Sequence, residues 1–113
     1  MKKIALLLCG LFVASTMAFA HPPSNIKIQF DDKTKILTAV IEHRVSNPKS
    51  HYINKVDIGL NGKEIQMLSF EEQETNTYQT VKFVVPQAKK GDTLSVEGYC
   101  NLSGKLEKEI KIA

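Results

Sequence analysis

Along most of the chain apolar and polar positions alternate one for one, the period of a strand with one face buried and the other in water. Ile26, Ile28 and Phe30 alternate with polar neighbours and predict a first strand, and Asp31-Asp32-Lys33 reads as a turn. Leu37, Ala39, Ile41, His43 and Val45 share one parity of the next run, with Thr38, Glu42 and Arg44 on the other and Val40 as the exception. His43 therefore falls on the apolar face. Ser46 to Ser50 carries Ser, Asn and Pro punctuation and predicts a loop. His51-Tyr52-Ile53 starts another strand, on which Tyr52, Val56, Ile58 and Leu60 can share a face. Asn61-Gly62 is the strongest hairpin signal, because both residues tolerate the positive φ of a type I′ turn. The return strand runs from Lys63 to about Phe70, and Glu71 to Asn76 is a polar, acidic loop. Thr77 to Val85 alternates through Val81, Phe83 and Val85, and Pro86 to Asp92 makes a turn. Leu94, Val96, Gly98 and Cys100 share a parity, and Leu106, Ile110 and Ile112 close the chain.

This pattern gives seven strand candidates and no helical period sustained over ten residues. Short strands at even spacing predict an all-β chain, an antiparallel β-sandwich that is immunoglobulin-like in broad terms. The cysteine pair and tryptophan of antibody domains are absent. With no repeat, low-complexity segment or linker, one domain is expected.

Met1-Lys2-Lys3, the apolar run from Ile4 to Ala18 and the Ala18-Phe19-Ala20 site have the layout of a secretory signal peptide over residues 1–20, leaving residues 21–113 as the domain. The run falls short of the roughly 20 residues of a membrane span, so no span is expected after cleavage, and the expected location is periplasmic or secreted. The formal net charge of +3 owes much to Lys2 and Lys3. The remainder is near neutral with scattered charges, and it lacks the basic cluster of a nucleic-acid surface. Of the two cysteines, Cys9 lies in the leader and Cys100 remains. An intramolecular disulfide is then excluded, so stability must come from the apolar core or a metal. An idle exposed thiol is a liability in an oxidising compartment, which favours burial or ligation of Cys100.

His21, His43 and His51 are the only histidines. Neutral imidazole and thiolate are good ligands for iron, copper and zinc. His43 ends one predicted strand, His51 begins the next, and Cys100 ends a third at a turn. Residues at the rim of a sandwich can converge, which makes His43, His51 and Cys100 the candidate metal ligands. Spacing by itself favours a plainer arrangement, in which His43 packs near the core, His51 lies at the surface and Cys100 is a small buried side chain. His21 becomes the first residue on cleavage. Its amine and imidazole could then chelate Cu(II), with Pro22 removing the next amide donor; the alternative is an incidental, loosely ordered terminus. Hydrolase and nucleotide-binding signatures are missing. Glu71-Glu72-Gln73-Glu74 reads as a solvated loop, and Asn101-Leu102-Ser103 fits a glycosylation acceptor.

The combination of His43, His51-Tyr52-Ile53 and Tyr99-Cys100-Asn101-Leu102, in that order, resembles the iron domain of the desulfoferrodoxin and neelaredoxin family, the superoxide reductases. In that family a histidine in a His-Pro-type loop is followed by a His-Tyr-Ile segment. A Cys-Asn-x-His-Gly motif comes near the C-terminus, on an immunoglobulin-like sandwich. The resemblance covers about Ile41 to Glu109. It implies iron held by four equatorial imidazoles and an axial thiolate, with an open position for superoxide. Carried over by position, His43, His51 and Cys100 match three of the five ligands. Ser103 stands where the family has its last histidine, Arg44 follows His43 in place of proline, and the most N-terminal ligand histidine has no counterpart other than His21. The resemblance thus implies an iron-binding homologue, with zinc or copper as alternatives. Its superoxide reductase activity is expected to be absent or weak, and its partner an unidentified protein or redox partner.

The His-Tyr-Ile start, the Asn61-Gly62 hairpin and Lys90-Gly91-Asp92-Thr93-Leu94 are also similar to the sandwich subunit of the thiosulfate-oxidation sulfur-carrier complex. That similarity implies a different class, a metal-free interaction module.

Overall fold

Every alternating run becomes a strand. The computed structural model describes residues 21–113, and the leader expected over residues 1–20 lies outside the described residues. The strands are β1 (Asn25–Asp31), β2 (Ile36–Glu42), β3 (Ile53–Leu60), β4 (Lys63–Ser69), β5 (Tyr78–Val84), β6 (Thr93–Cys100) and β7 (Lys105–Lys111). All pairings are antiparallel, in a three-stranded sheet of order β1-β2-β5 and a four-stranded sheet of order β4-β3-β6-β7. This is the expected β-sandwich. It differs from the antibody constant-type arrangement in one respect: β4 pairs with β3, whereas the fourth strand of that arrangement joins the first sheet. Among the described residues no helix is long and apolar enough to cross a membrane.

The core lies between the sheets. Leu37, Ala39 and Ile41 of β2 pack with Ile53, Val56 and Ile58 of β3 and with Leu94 and Val96 of β6, all fully buried. Each Leu or Ile taken wholly out of water contributes about 1.5–3 kcal/mol, so this set is the main source of stability in a domain without a disulfide. The sheets approach closely at Gly98, where a Cβ would sit 3.2 Å from Ile41 Cγ2. Asn61 and Gly62 have φ of 52° and 83°, as a type I′ hairpin requires.

One predicted face is wrong at its start. The β3–β6 register shifts between Ile53 and Lys55, a bulge at Asn54 that reverses parity. Ile53, not Tyr52, therefore joins Val56 and Ile58 inside.

Three chain ends meet at one rim. β2 ends at Glu42, β3 begins at Ile53, and β6 ends at Cys100, which lies opposite Ile53 in the register. Antiparallel pairing of β1 with β2 brings the residues before β1 to the same rim, where the Ser24 N–H donates to Glu42 O at 2.8 Å.

Candidate metal centre

His43 is the first residue beyond β2, and the sheet holds it there. Its backbone N–H donates to Thr77 O at 2.9 Å, and that of Val45 to Asn76 O at 2.8 Å, so the β2–β5 ladder continues past both strands. The side chain keeps the inward parity and is fully buried. His51 is carried by the loop between β2 and β3. Asn47 turns that loop: its carbonyl accepts from the N–H groups of Ser50 (3.1 Å) and His51 (3.0 Å), and its Oδ1 from that of Lys49 (3.0 Å).

Asn101 ties the loop to the end of β6. Its Oδ1 accepts from the Tyr52 N–H at 2.8 Å, its own N–H donates to Tyr52 O at 2.9 Å, and its Nδ2 donates to Ser50 O at 3.1 Å. The Cys-Asn and His-Tyr pieces are thus bonded to each other through this carboxamide. Sequence order alone could not show that link.

His21 arrives on the strap before β1. Pro23 is buried, and Pro22 rides against Gly104, whose added Cβ would lie only 2.9 Å from Pro22 Cβ. Gly104 has a φ of 82° and closes the turn after β6, its carbonyl accepting from the Cys100 N–H at 3.0 Å.

These supports bring the three imidazoles together. One ligand nitrogen from each of His21, His43 and His51 lies within 4.8 Å of the other two. Ring centroids are 4.8 Å apart for His21–His43, 5.1 Å for His21–His51 and 4.8 Å for His43–His51. Of the three ligands expected from the sequence, His43 and His51 meet, and His21 joins them. Cys100 stands outside that 4.8 Å group. It is a free thiol, 8% exposed, at the rim end of β6 and not part of the contiguous apolar core. Its Sγ accepts from the Leu102 N–H at 3.4 Å. Tyr99, next to it, faces the other side of the sheet. There its Oη donates to Glu97 Oε1 at 2.7 Å, and Lys55 Nζ lies 4.2 Å from the ring centroid. That hydrogen bond, together with burial and the nearby Asp57, pushes the phenol well above its ordinary pKa.

Two observations bear on how these imidazoles could meet a cation. His51 Nε2 is buried without any hydrogen-bond partner. Burial of the ring, with His43 and His21 adding like charge when protonated, holds the His51 pKa below its usual value and favours the neutral ring. Second, His21 presents Nδ1 to Pro22 O at 3.0 Å and Nε2 to Arg44 O at 2.9 Å. A neutral imidazole has one N–H, so it can satisfy only one of those oxygens. Three imidazoles within 4.8 Å of one another, one of them with a buried nitrogen that has no partner, could hold a transition ion of the iron, copper or zinc type.

Sequence reasoning missed one residue. Gln73 sits in the acidic run expected to be solvated, yet it is 3% exposed, and its Oε1 meets His43 Nδ1 at 2.8 Å. The only signal available was that it is the one uncharged side chain between carboxylates.

A family model for desulfoferrodoxin matches residues 16–109, a span that contains all three histidines, Gln73 and Cys100. No curated protein and no solved structure gives a match to the chain. The sandwich, the His-Tyr and Cys-Asn pieces bonded at one rim and the matched span agree: this chain belongs to the desulfoferrodoxin family.

Proposed function

We propose that this protein is an exported desulfoferrodoxin-family member that binds one transition-metal ion, iron in the first place, through His21, His43 and His51. The observation that carries the reading is the 4.8 Å cluster with the buried, unpartnered Nε2 of His51. Bound there, iron would supply one-electron redox chemistry. The chain's own part is to present and orient donors. His51 offers a neutral nitrogen, the sheet fixes His43, and the Pro22-Pro23 strap delivers His21. Cys100 lies at the same rim and is the candidate for a further, sulfur ligand. Superoxide reduction is absent or weak, because Ser103 stands where the family's last histidine would complete the equatorial set. Export is supported by the basic start, apolar run and Ala18-Phe19-Ala20 site.

Metal content by mass spectrometry tests the reading, on protein exported to a bacterial periplasm and purified without oxygen. Near-stoichiometric iron in the wild type, lost in His51→Ala and His21→Ala, is the expected result. Loss in Cys100→Ala would add the thiolate to the ligand set, and retention would leave the three imidazoles as the site. Absence of metal from the wild type, even after titration with Fe(II), Zn(II) and Cu(II), would overturn it. Ferrous protein that reduces superoxide at a rate abolished by Cys100→Ala would overturn the assignment of weak activity. N-terminal sequencing of the exported protein should begin at His21, and a retained Met1 would refute processing.

A further inference from the structure

We infer that Gln73 is a positioning residue for His43: its carboxamide locks the imidazole as the Nδ1–H tautomer and so turns the Nε2 lone pair toward the cluster. Gln73 Nε2 donates to His43 O at 2.7 Å and to Thr75 O at 2.9 Å, and both carbonyls can only accept. Gln73 Oε1 accepts from the backbone N–H of Ile53 at 3.2 Å, a group that can only donate. Flipping the carboxamide would break all three bonds, so the backbone alone decides which end is oxygen. That oxygen is the atom facing His43 Nδ1 at 2.8 Å. An oxygen there requires a proton on Nδ1, and in the neutral ring Nε2 is then the bare nitrogen.

The placement of Gln73 is itself over-determined. Its own N–H donates to Pro48 O at 2.9 Å, within the loop that carries His51. One side chain and its backbone therefore connect the end of β2, the start of β3 and the β2–β3 loop, the three segments that hold His43 and His51. The bare His43 Nε2 faces His21 O at 3.1 Å, acceptor against acceptor. A second proton or a cation relieves that opposition. An Nε2–H tautomer would relieve it too, but Gln73 withholds that choice. This is the arrangement by which metal-bound histidines are oriented through a partner on the other ring nitrogen. The consequence for affinity rests on the metal-binding reading above; the tautomer does not.

Long-range 1H–15N NMR of the metal-free protein at pH 8.5 reads the tautomer directly, beside Zn(II) and Fe(II) titrations of the same samples. His43 should be Nδ1–H in the wild type. Gln73→Met, which keeps the length but loses the acceptor, should convert it largely to Nε2–H and weaken both metals about tenfold or more. Gln73→Glu keeps the acceptor and should preserve the tautomer even where it lowers stability. An Nε2–H ring in the wild type would overturn the inference, and so would a folded Gln73→Met with an unchanged ring and metal affinity within twofold. Should Gln73→Met not fold, the wild-type and Gln73→Glu spectra still decide. If the tautomer behaves as described while the wild type binds neither metal, the metal-binding reading falls and the positioning role stands.

Discussion

Replacing Gly104 by alanine should do more harm than its backbone alone explains, and the excess should appear in metal binding. Gly104 holds a φ of 82°, and an L-residue there costs about 1–2 kcal/mol. Gly91 provides the control, with a φ of 91° and no heavy atom within 4 Å of an added Cβ. At Gly104 the same methyl would lie 2.9 Å from Pro22 Cβ, 3.2 Å from its Cδ and 3.3 Å from its Cα. Carbon contacts prefer about 3.5–4.0 Å, so three atoms of a stiff ring are too close at once. Crowding of this kind costs about 1–3 kcal/mol further. Pro22 cannot bend away by itself, because Pro23 behind it is buried, so the strap should shift as a unit and carry His21 out of the cluster. Thermal unfolding of the metal-free variants should therefore show Gly91→Ala down by roughly 4–16 °C and Gly104→Ala by clearly more, at about 4–8 °C per kcal/mol. Competition titrations with Fe(II) or Zn(II) should show roughly tenfold weaker binding for Gly104→Ala and wild-type binding for Gly91→Ala. Equal melting temperatures with equal affinities would refute the reasoning, since the strap would then not be seated by that glycine.

Asn101→Ala should cost about 1–2 kcal/mol by freeing the Tyr52 N–H and Ser50 O, and should weaken metal binding through His51; Asn101→Asp, which keeps the Oδ1 acceptor, should recover part of both in melts and titrations. The lowered His51 pKa makes the unfolded chain take up a proton first on acidification. Stability of the metal-free protein is then full above the ordinary imidazole pKa of about 6.5 and is lost as pH falls from there. Denaturant melts between pH 8 and 5 should show that loss shrinking in His51→Asn, and identical slopes would count against it. Asp92 is held below the usual carboxylate range first by the Asn61 amide, then by the Lys89 N–H and ammonium. Its contribution is present above about pH 3.9 and is lost as pH falls through its folded pKa, so Asp92→Asn should flatten the acid limb of the same melts.

The strands were legible because a half-buried sheet writes a period of two into the chain, and the Asn61-Gly62 hairpin because few residues accept its dihedrals. The bulge at Asn54 was not, since an extra residue in one strand is visible only against its partner. At the site, the loop between His43 and His51 allowed them to meet, but spacing by itself favoured their lying apart, and it was the family resemblance that paired them. His21 could not be placed by spacing. It reaches the rim through the register of β1 against β2, which returns residues before one strand to the level of residues after the other. Gln73 was hidden by its neighbours: average polarity says nothing about the single side chain in an acidic run that turns inward.

The crossing from β2 to β3 is the first of three at which the chain passes from one sheet to the other, and His43 and His51 bracket it. An ion bound to both is a clasp between the two halves of the sandwich. It is a clasp that can be unfastened, unlike the disulfide that many exported domains use. At a free metal concentration a hundred times its dissociation constant, such a clasp adds about 2.7 kcal/mol to the folded state. Withdrawing the metal would raise the unfolded fraction about a hundredfold, and proteases act on that fraction. The lifetime of this protein would then keep a running record of how much metal its surroundings hold.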